Sequence, residues 1–166
     1  MVFREWFKTE EISKVIDFDF PTTQANLSSS LKGVLRGIHY SLAKNGQAKY
    51  ITCVKGQIQD VIVDLRPSSS TFGRWIDLEL NEDSGSAVFI EPNLGHGFLS
   101  LAKSSTVVYL TSSIYDPKNE FAINPFDPDL SIKWILPATE IIISERDKTA
   151  PSLNQRKITD KLPGRK

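Results

Sequence analysis

The 166-residue chain has only two histidines, and both sit in short glycine-flanked stretches. His39 lies in Lys32-Gly33-Val34-Leu35-Arg36-Gly37-Ile38-His39-Tyr40, and His96 in Gly95-His96-Gly97-Phe98. Imidazole is the side chain best matched to moving protons near neutral pH. Shortly after His39, Gly46-Gln47-Ala48-Lys49-Tyr50 adds a side-chain amide and a cation. A base, a cation and polar neighbours on strand-forming segments read as a proton-transfer site inside a β-barrel. Taken alone, His39 also fits a half-buried strand histidine hydrogen-bonded for structural reasons.

The elements that must hold these residues are mostly short strands. Val2 to Phe7 is strand-like, and Thr9-Glu10-Glu11 starts one short helix with Ile12, Val15 and Ile16 on its apolar face. Beyond Pro21, Ala48 to Val54 and Ile58 to Leu65 are rich in β-branched residues and flank the turn signal Lys55-Gly56-Gln57. Trp75 to Leu80 alternates, and strands follow at Ala87 to Ile90, Phe98 to Leu101 and Thr106 to Ser112. Such spacing with little helix predicts an all-β sandwich or barrel in one domain over 1–157. The polar segment from Ile158 to Lys166, with Pro163-Gly164, is expected to fray.

Composition narrows the function classes. Twenty basic residues balance twenty acidic ones, so no general pull toward nucleic acid or anionic membrane exists, while a local basic pocket stays open. The single Cys53 excludes an internal disulfide framework and reads as a buried thiol. No apolar run reaches membrane-span length and no signal peptide opens the chain, which predicts a cytoplasmic protein. A metal site of the two-histidine kind would need a second histidine at position 41, where Ser41 stands. Asp60 and Asp64 alternate with Ile58 and Ile62, so one of them is expected as a hydrogen-bonding partner inside the barrel. His96, in an expected loop after Pro92, reads as a binding or structural residue.

At these residues the chain resembles the dTDP-4-dehydrorhamnose 3,5-epimerase family. The matching blocks include Asn26-Leu27-Ser28, KGVLRGIHY from Lys32 to Tyr40, QAKY from Gln47 to Tyr50 and VKGQIQDVIVDLR from Val54 to Arg66. TFGRW from Thr71, GHGF from Gly95, YDPKNE from Tyr115, DPDLSIKW from Asp127 and SERD from Ser144 follow in order. The resemblance implies a cupin-type jelly roll with a short N-terminal helix and a few short C-terminal elements. It implies a homodimer, no metal or organic cofactor, and a nucleoside diphosphate 4-keto-6-deoxyhexose as substrate, with a dTDP-linked one expected.

It also assigns roles by position. His39 matches the base, Asp147 the carboxylate paired with it, Lys49 the cation beside the developing oxyanion, and Tyr109 the acid on the opposite face. Arg36 and His96 match sugar-nucleotide contacts, and Gln24, Asn26, Ser28 and Gln47 belong to the same pocket. Tyr115 matches the ring that stacks on the base, and Glu5 and Glu120 match polar contacts to the nucleotide. Arg146 stands where the family commonly has lysine, which keeps the charge but changes its geometry. Family members also carry an arginine for the diphosphate in a strand ahead of Val2-Phe3-Arg4-Glu5; Arg4 lies too far along to be its direct equivalent. Inversion at C3 only, at C5 only or at both carbons all fit the motifs, as does a non-catalytic jelly roll that binds sugar nucleotides.

Overall fold

A computed structural model describes residues 3–17 and 19–164. After helix α1 (Thr9–Ile12) come β1 (Gln24–Leu31), β2 (Val34–Ser41), β3 (Lys49–Lys55), β4 (Gln57–Asp64), β5 (Trp75–Asn81), β6 (Ala87–Ile90), β7 (Leu94–Ser100), β8 (Ser104–Thr111) and β9 (Glu120–Ala122). A 3₁₀ turn (Ala138–Glu140), β10 (Ile142–Ile143), α2 (Glu145–Lys148) and α3 (Leu153–Ile158) complete the chain. One sheet runs β1-β8-β3-β6 and the other β10-β2-β7-β4-β5, with β9 added beside β2. The chain passes back and forth between the sheets, which is the jelly-roll arrangement expected of the sequence. Every pairing is antiparallel except β10 with β2. No helix is long and apolar enough to cross a membrane among the described residues.

Three apolar clusters divide the burial. Ile51, Ile58, Ile62, Leu80, Ile90, Phe98 and Val107 fill the space between the sheets. Ile38, Tyr40, Val61, Val63, Leu65, Ile123, Leu130, Leu153 and Leu162 form a second cluster, where the segment after β9 packs against the other face of the β10-to-β5 sheet. Phe20, Ala48 and Leu110 form a third beneath Phe7, Ile16, Tyr50 and Phe89. Because β4 has a cluster on each face, it is buried almost throughout, including its polar residues Gln59, Asp60 and Asp64.

Three expectations change. Phe3 to Phe7 forms no strand, and Val2 lies outside the described residues. This segment is instead tied down locally: Arg4 donates to the carbonyls of Glu82 and Asp83, and the Tyr50 hydroxyl donates to the Trp6 carbonyl. His96 lies within β7 rather than in a loop, because Leu94 to Ser100 pairs with β4 from Asp64 to Ile58. The C-terminal stretch as far as Gly164 is anchored rather than loose: Leu162 is 4% exposed within the second cluster, and the Tyr40 hydroxyl donates to the Lys161 carbonyl. Polar composition hid one apolar anchor. Replacing it, Leu162→Ala, should lower the unfolding free energy in urea by about 2–4 kcal/mol; a change below about 0.5 kcal/mol would show that this anchor contributes nothing.

Candidate active site

Position along the strands determines which side chains face the space between the sheets. On β8, Val107, Tyr109 and Thr111 share one face, with Ser28, Asn26 and Gln24 opposite them on β1 and Cys53, Ile51 and Lys49 on β3. Moving along these three strands, the inward residues change from small or apolar to polar, and at the polar end the interior opens. A cavity of ≈ 350 Å³ is lined by Gln24, Asn26, His39, Gln47, Lys49, Tyr109, Thr111, Tyr115, Glu120 and Arg146. A second, of ≈ 160 Å³, is lined by Ser28, Arg36, His39, Lys49, His96, Phe98, Val107 and Tyr109. His39, Lys49 and Tyr109 wall both.

His39 sits after an irregularity in the β2–β7 register between Arg36 and His39. Gly37 makes it possible: its φ is +122°, and a Cβ there would lie 2.5 Å from Gly97 Cα. Asp147 comes from α2, whose start is capped by Ser144 Oγ accepting from the Asp147 backbone N–H at 3.1 Å. His39 Nε2 lies 2.7 Å from Asp147 Oδ1, and Gly37 N–H reaches Oδ2 at 3.4 Å. An ionised carboxylate only accepts, so Nε2 carries the proton and Nδ1 keeps a lone pair. Burial pushes the Asp147 carboxyl up, but the His39 hydrogen bond and charge, with Gly37 and Ser144, outweigh it and hold the group below its usual value.

Lys49 is 9% exposed and has no hydrogen-bond or ion-pair partner within bonding distance among the described residues. Burial pulls its ammonium down, and the charges of Glu120 and then Asp60 oppose that. For Tyr109, burial dominates and raises the phenol; the Arg36 charge works against this and Glu120 with it. The phenol is therefore protonated and available as a donor at neutral pH. His96 Nε2 holds Asp60 Oδ2 at 2.7 Å, and the other oxygen, Asp60 Oδ1, is buried without a partner. Asp64 lies elsewhere, bound by Arg66, Ser69 and Thr71, which hold its carboxyl far below the usual range against the upward push of burial.

The structure thus brings together all but one of the residues given a catalytic or binding role in the sequence. Gln24 donates to Asn26 Oδ1 and accepts from the Tyr115 backbone N–H, linking three of them. Gln47 is fixed by Ser113, and Arg36 donates to Ser30 Oγ. Glu5 does not line either cavity; it is exposed and pairs with Lys8 at 2.6 Å. Sequence reasoning did not pick out Thr111, Phe98 and Val107 as lining residues. The period of two on β8 would have found Thr111 and Val107 from Tyr109, and on β7 Phe98 from His96.

Residues 2–155 match the dTDP-4-dehydrorhamnose 3,5-epimerase family. A dTDP-4-dehydro-6-deoxyglucose 3-epimerase from Streptomyces sp is 48% identical over 150 residues, 90% of this chain and 76% of that one. A dTDP-4-dehydrorhamnose 3,5-epimerase from Mycolicibacterium smegmatis is 41% identical over 98% of this chain and 79% of its own. The crystal structure of ChmJ, a 3′-monoepimerase from Streptomyces bikiniensis in complex with dTDP-quinovose, superposes with a TM-score of 0.90 at 44% identity, covering 96% of this chain and 80% of that one.

The Asp147 bond has a measurable consequence without any substrate. A depressed carboxyl contributes stability that is present above its unfolded value, near 3.9, and lost as pH falls through the folded one. Asp147→Asn should be less stable than the parent by about 1–3 kcal/mol at pH 7, and the gap should close below about pH 4. A gap that is constant with pH would disprove that an ionised Asp147 accepts this bond. By fold, by these matches and by residues that run almost the length of the chain, this protein belongs to the dTDP-4-dehydrorhamnose 3,5-epimerase family.

Proposed function

We propose that the chain is a cofactor-independent epimerase that inverts C3, C5 or both in a dTDP-linked 4-keto-6-deoxyhexose. The carrying observation is that a carboxylate-held imidazole, a buried unpaired ammonium and a protonated phenol wall the same two adjoining cavities. Carbons 3 and 5 flank the ketone, so loss of a proton from either gives an enolate delocalised onto the C4 oxygen. His39 takes that proton at Nδ1, and Asp147 stabilises the imidazolium formed. Lys49, desolvated and without a partner among the described residues, receives the developing negative charge on the oxygen. Tyr109 returns a proton to the opposite face of the ring, which inverts the carbon.

The remaining lining residues fit the rest of such a substrate. Arg36 and Arg146 offer fixed positive forks to the diphosphate. Tyr115, half exposed at the cavity edge, offers a ring face to the base, with Gln24, Asn26, Ser28, Gln47, His96 and Glu120 as polar contacts. Glu5 serves the nucleotide only if the N-terminal segment or a second copy carries it there. Sugar nucleotides are cytoplasmic metabolites, which is the compartment this reading assigns.

The homodimer belongs to the same proposal. On the β1-to-β6 sheet, Leu27 and Leu31 point outward at 68% and 67% exposed, and Val54 joins them at 45%. An apolar sheet face of this kind suits a second copy of the chain. Sedimentation should show a dimer, and Leu27→Asp with Leu31→Asp should give monomer; a parent chain that sediments as monomer removes the dimer.

The reaction is tested by incubating the protein with dTDP-4-keto-6-deoxyglucose in heavy water and following the C3 and C5 proton signals. Loss of both marks a double epimerase, and loss of one a single epimerase. Loss of neither, with binding retained, would make the protein a binding module and overturn the proposal. His39→Ala should slow exchange by about 10²–10⁴-fold, whereas Tyr109→Phe should exchange at the first carbon but fail to invert it. Undiminished exchange in the His39 variant would remove the base assigned here.

A further inference from the structure

Fifteen side chains line the two cavities, and all but two of them carry a polar atom. The exceptions are Phe98 and Val107, which belong only to the smaller cavity. They reach it from opposite sheets. Phe98 stands on β7, level with Arg36 on β2 and Asp60 on β4, and Val107 on β8, level with Ser28 on β1 and Cys53 on β3. Both belong to the apolar cluster between the sheets, and they are 5% and 1% exposed. Each therefore shows the cavity only a small patch of its surface. These two are the apolar part of walls otherwise made of hydroxyls, amides, imidazoles and charges.

The substrate proposed above has one matching feature. A 4-keto-6-deoxyhexose carries hydroxyls, a ketone and a glycosidic oxygen around its ring, and a single group without a polar atom, the C6 methyl. His39 and Lys49 wall both cavities, so with Lys49 at the C4 oxygen and His39 at C3 or C5 the methyl on C5 is within reach of the smaller one. We propose that Phe98 and Val107 form the contact for the C6 methyl and are the residues by which this enzyme prefers a 6-deoxy sugar over its 6-hydroxylated counterpart. Desolvating a hydroxyl against these two side chains leaves it without a partner, and an apolar contact of this kind rejects an added hydroxyl by about a hundredfold.

The inference rests on the epimerase reading, and its test separates the two. Exchange of ring protons in heavy water is measured for dTDP-4-keto-6-deoxyglucose and for dTDP-4-ketoglucose, and kcat/KM is compared. The parent enzyme should favour the 6-deoxy substrate by about 10–100-fold. Val107→Thr, which keeps the shape and adds a hydroxyl, should narrow that preference to under about tenfold, largely through KM. Phe98→Leu, tested beside it with folding followed by circular dichroism, should narrow it as well. A parent enzyme that treats both substrates equally, or variants that exchange with the parent's preference intact, would overturn the methyl contact and leave the epimerase standing. Exchange into neither substrate would overturn the epimerase reading itself.

Discussion

Everything chemical in this fold depends on a hydrogen bond between residues 108 positions apart, His39 on β2 and Asp147 on α2. Two short helical turns and a two-residue strand would not hold such a distance by themselves. The parallel pairing of Ile142 and Ile143 with Val34 and Leu35 fastens the late segment to the same strand that carries His39. The Ile142 N–H also bonds the Gly33 carbonyl, and Ser144 then starts α2 so that Asp147 comes back toward Gly37. Base and carboxylate thus share one strand as their frame, and the tolerance of the pair is that of local β geometry. General-base catalysis needs that tolerance, because small misplacements of the base are costly.

The long excursion between the two residues has its own structural logic. After β9, the segment from Ile123 to Leu162 covers one face of a sheet whose other face lines the interior. It is tied down by Gln59, which donates to the Lys133 carbonyl and accepts from the Ile135 N–H, and by Trp75 and Trp134, whose indole N–H groups reach the carbonyls of Leu130 and Pro125. With that face sealed, β4 can give Val61 and Val63 to the outer cluster while Asp60 stays at the interior beside His96. The same strand therefore supplies both rigidity and a buried carboxylate.

How much of this was legible in the residues depended on the range of the interaction. Strands with β-branched runs, such as β3, β4 and β8, were visible because each carries its pattern within itself. The strand position of His96 was not, because glycines on both sides mimic a loop, and only the pairing of β7 with β4 reveals why they are there. A Cβ at Gly97 would lie 2.9 Å from the Arg36 carbonyl oxygen, and one at Gly95 2.7 Å from Ile38 Cγ2. Those glycines mark close approach rather than a bend. The unpaired strand-like stretch from Phe3 to Phe7 shows the reverse: its local pattern suits a strand, but among the described residues no neighbour pairs with it. The cluster of site residues was readable from ordered motifs; the partnership of His96 with Asp60 required the register.

Unsatisfied groups are concentrated where the chemistry is proposed. A buried polar group without a partner costs on the order of 1–3 kcal/mol, and more when charged. Asp60 Oδ1 is the one buried side-chain oxygen without a partner among the described residues, and it lies in the charge field of Lys49, whose ammonium is also unpaired. A fold selected for stability alone would bring these two groups together or replace them with apolar ones. Burial pulls the Lys49 ammonium down, the charges of Glu120 and Asp60 oppose that, and holding the groups apart leaves its hydrogens free for another acceptor. Tyr109 follows the same pattern, with a phenol kept protonated by burial and no acceptor engaged among the described residues. The interior thus gives up part of its stability so that a cation and a proton donor face the cavity unoccupied, which is the preorganisation that stabilising an enolate requires.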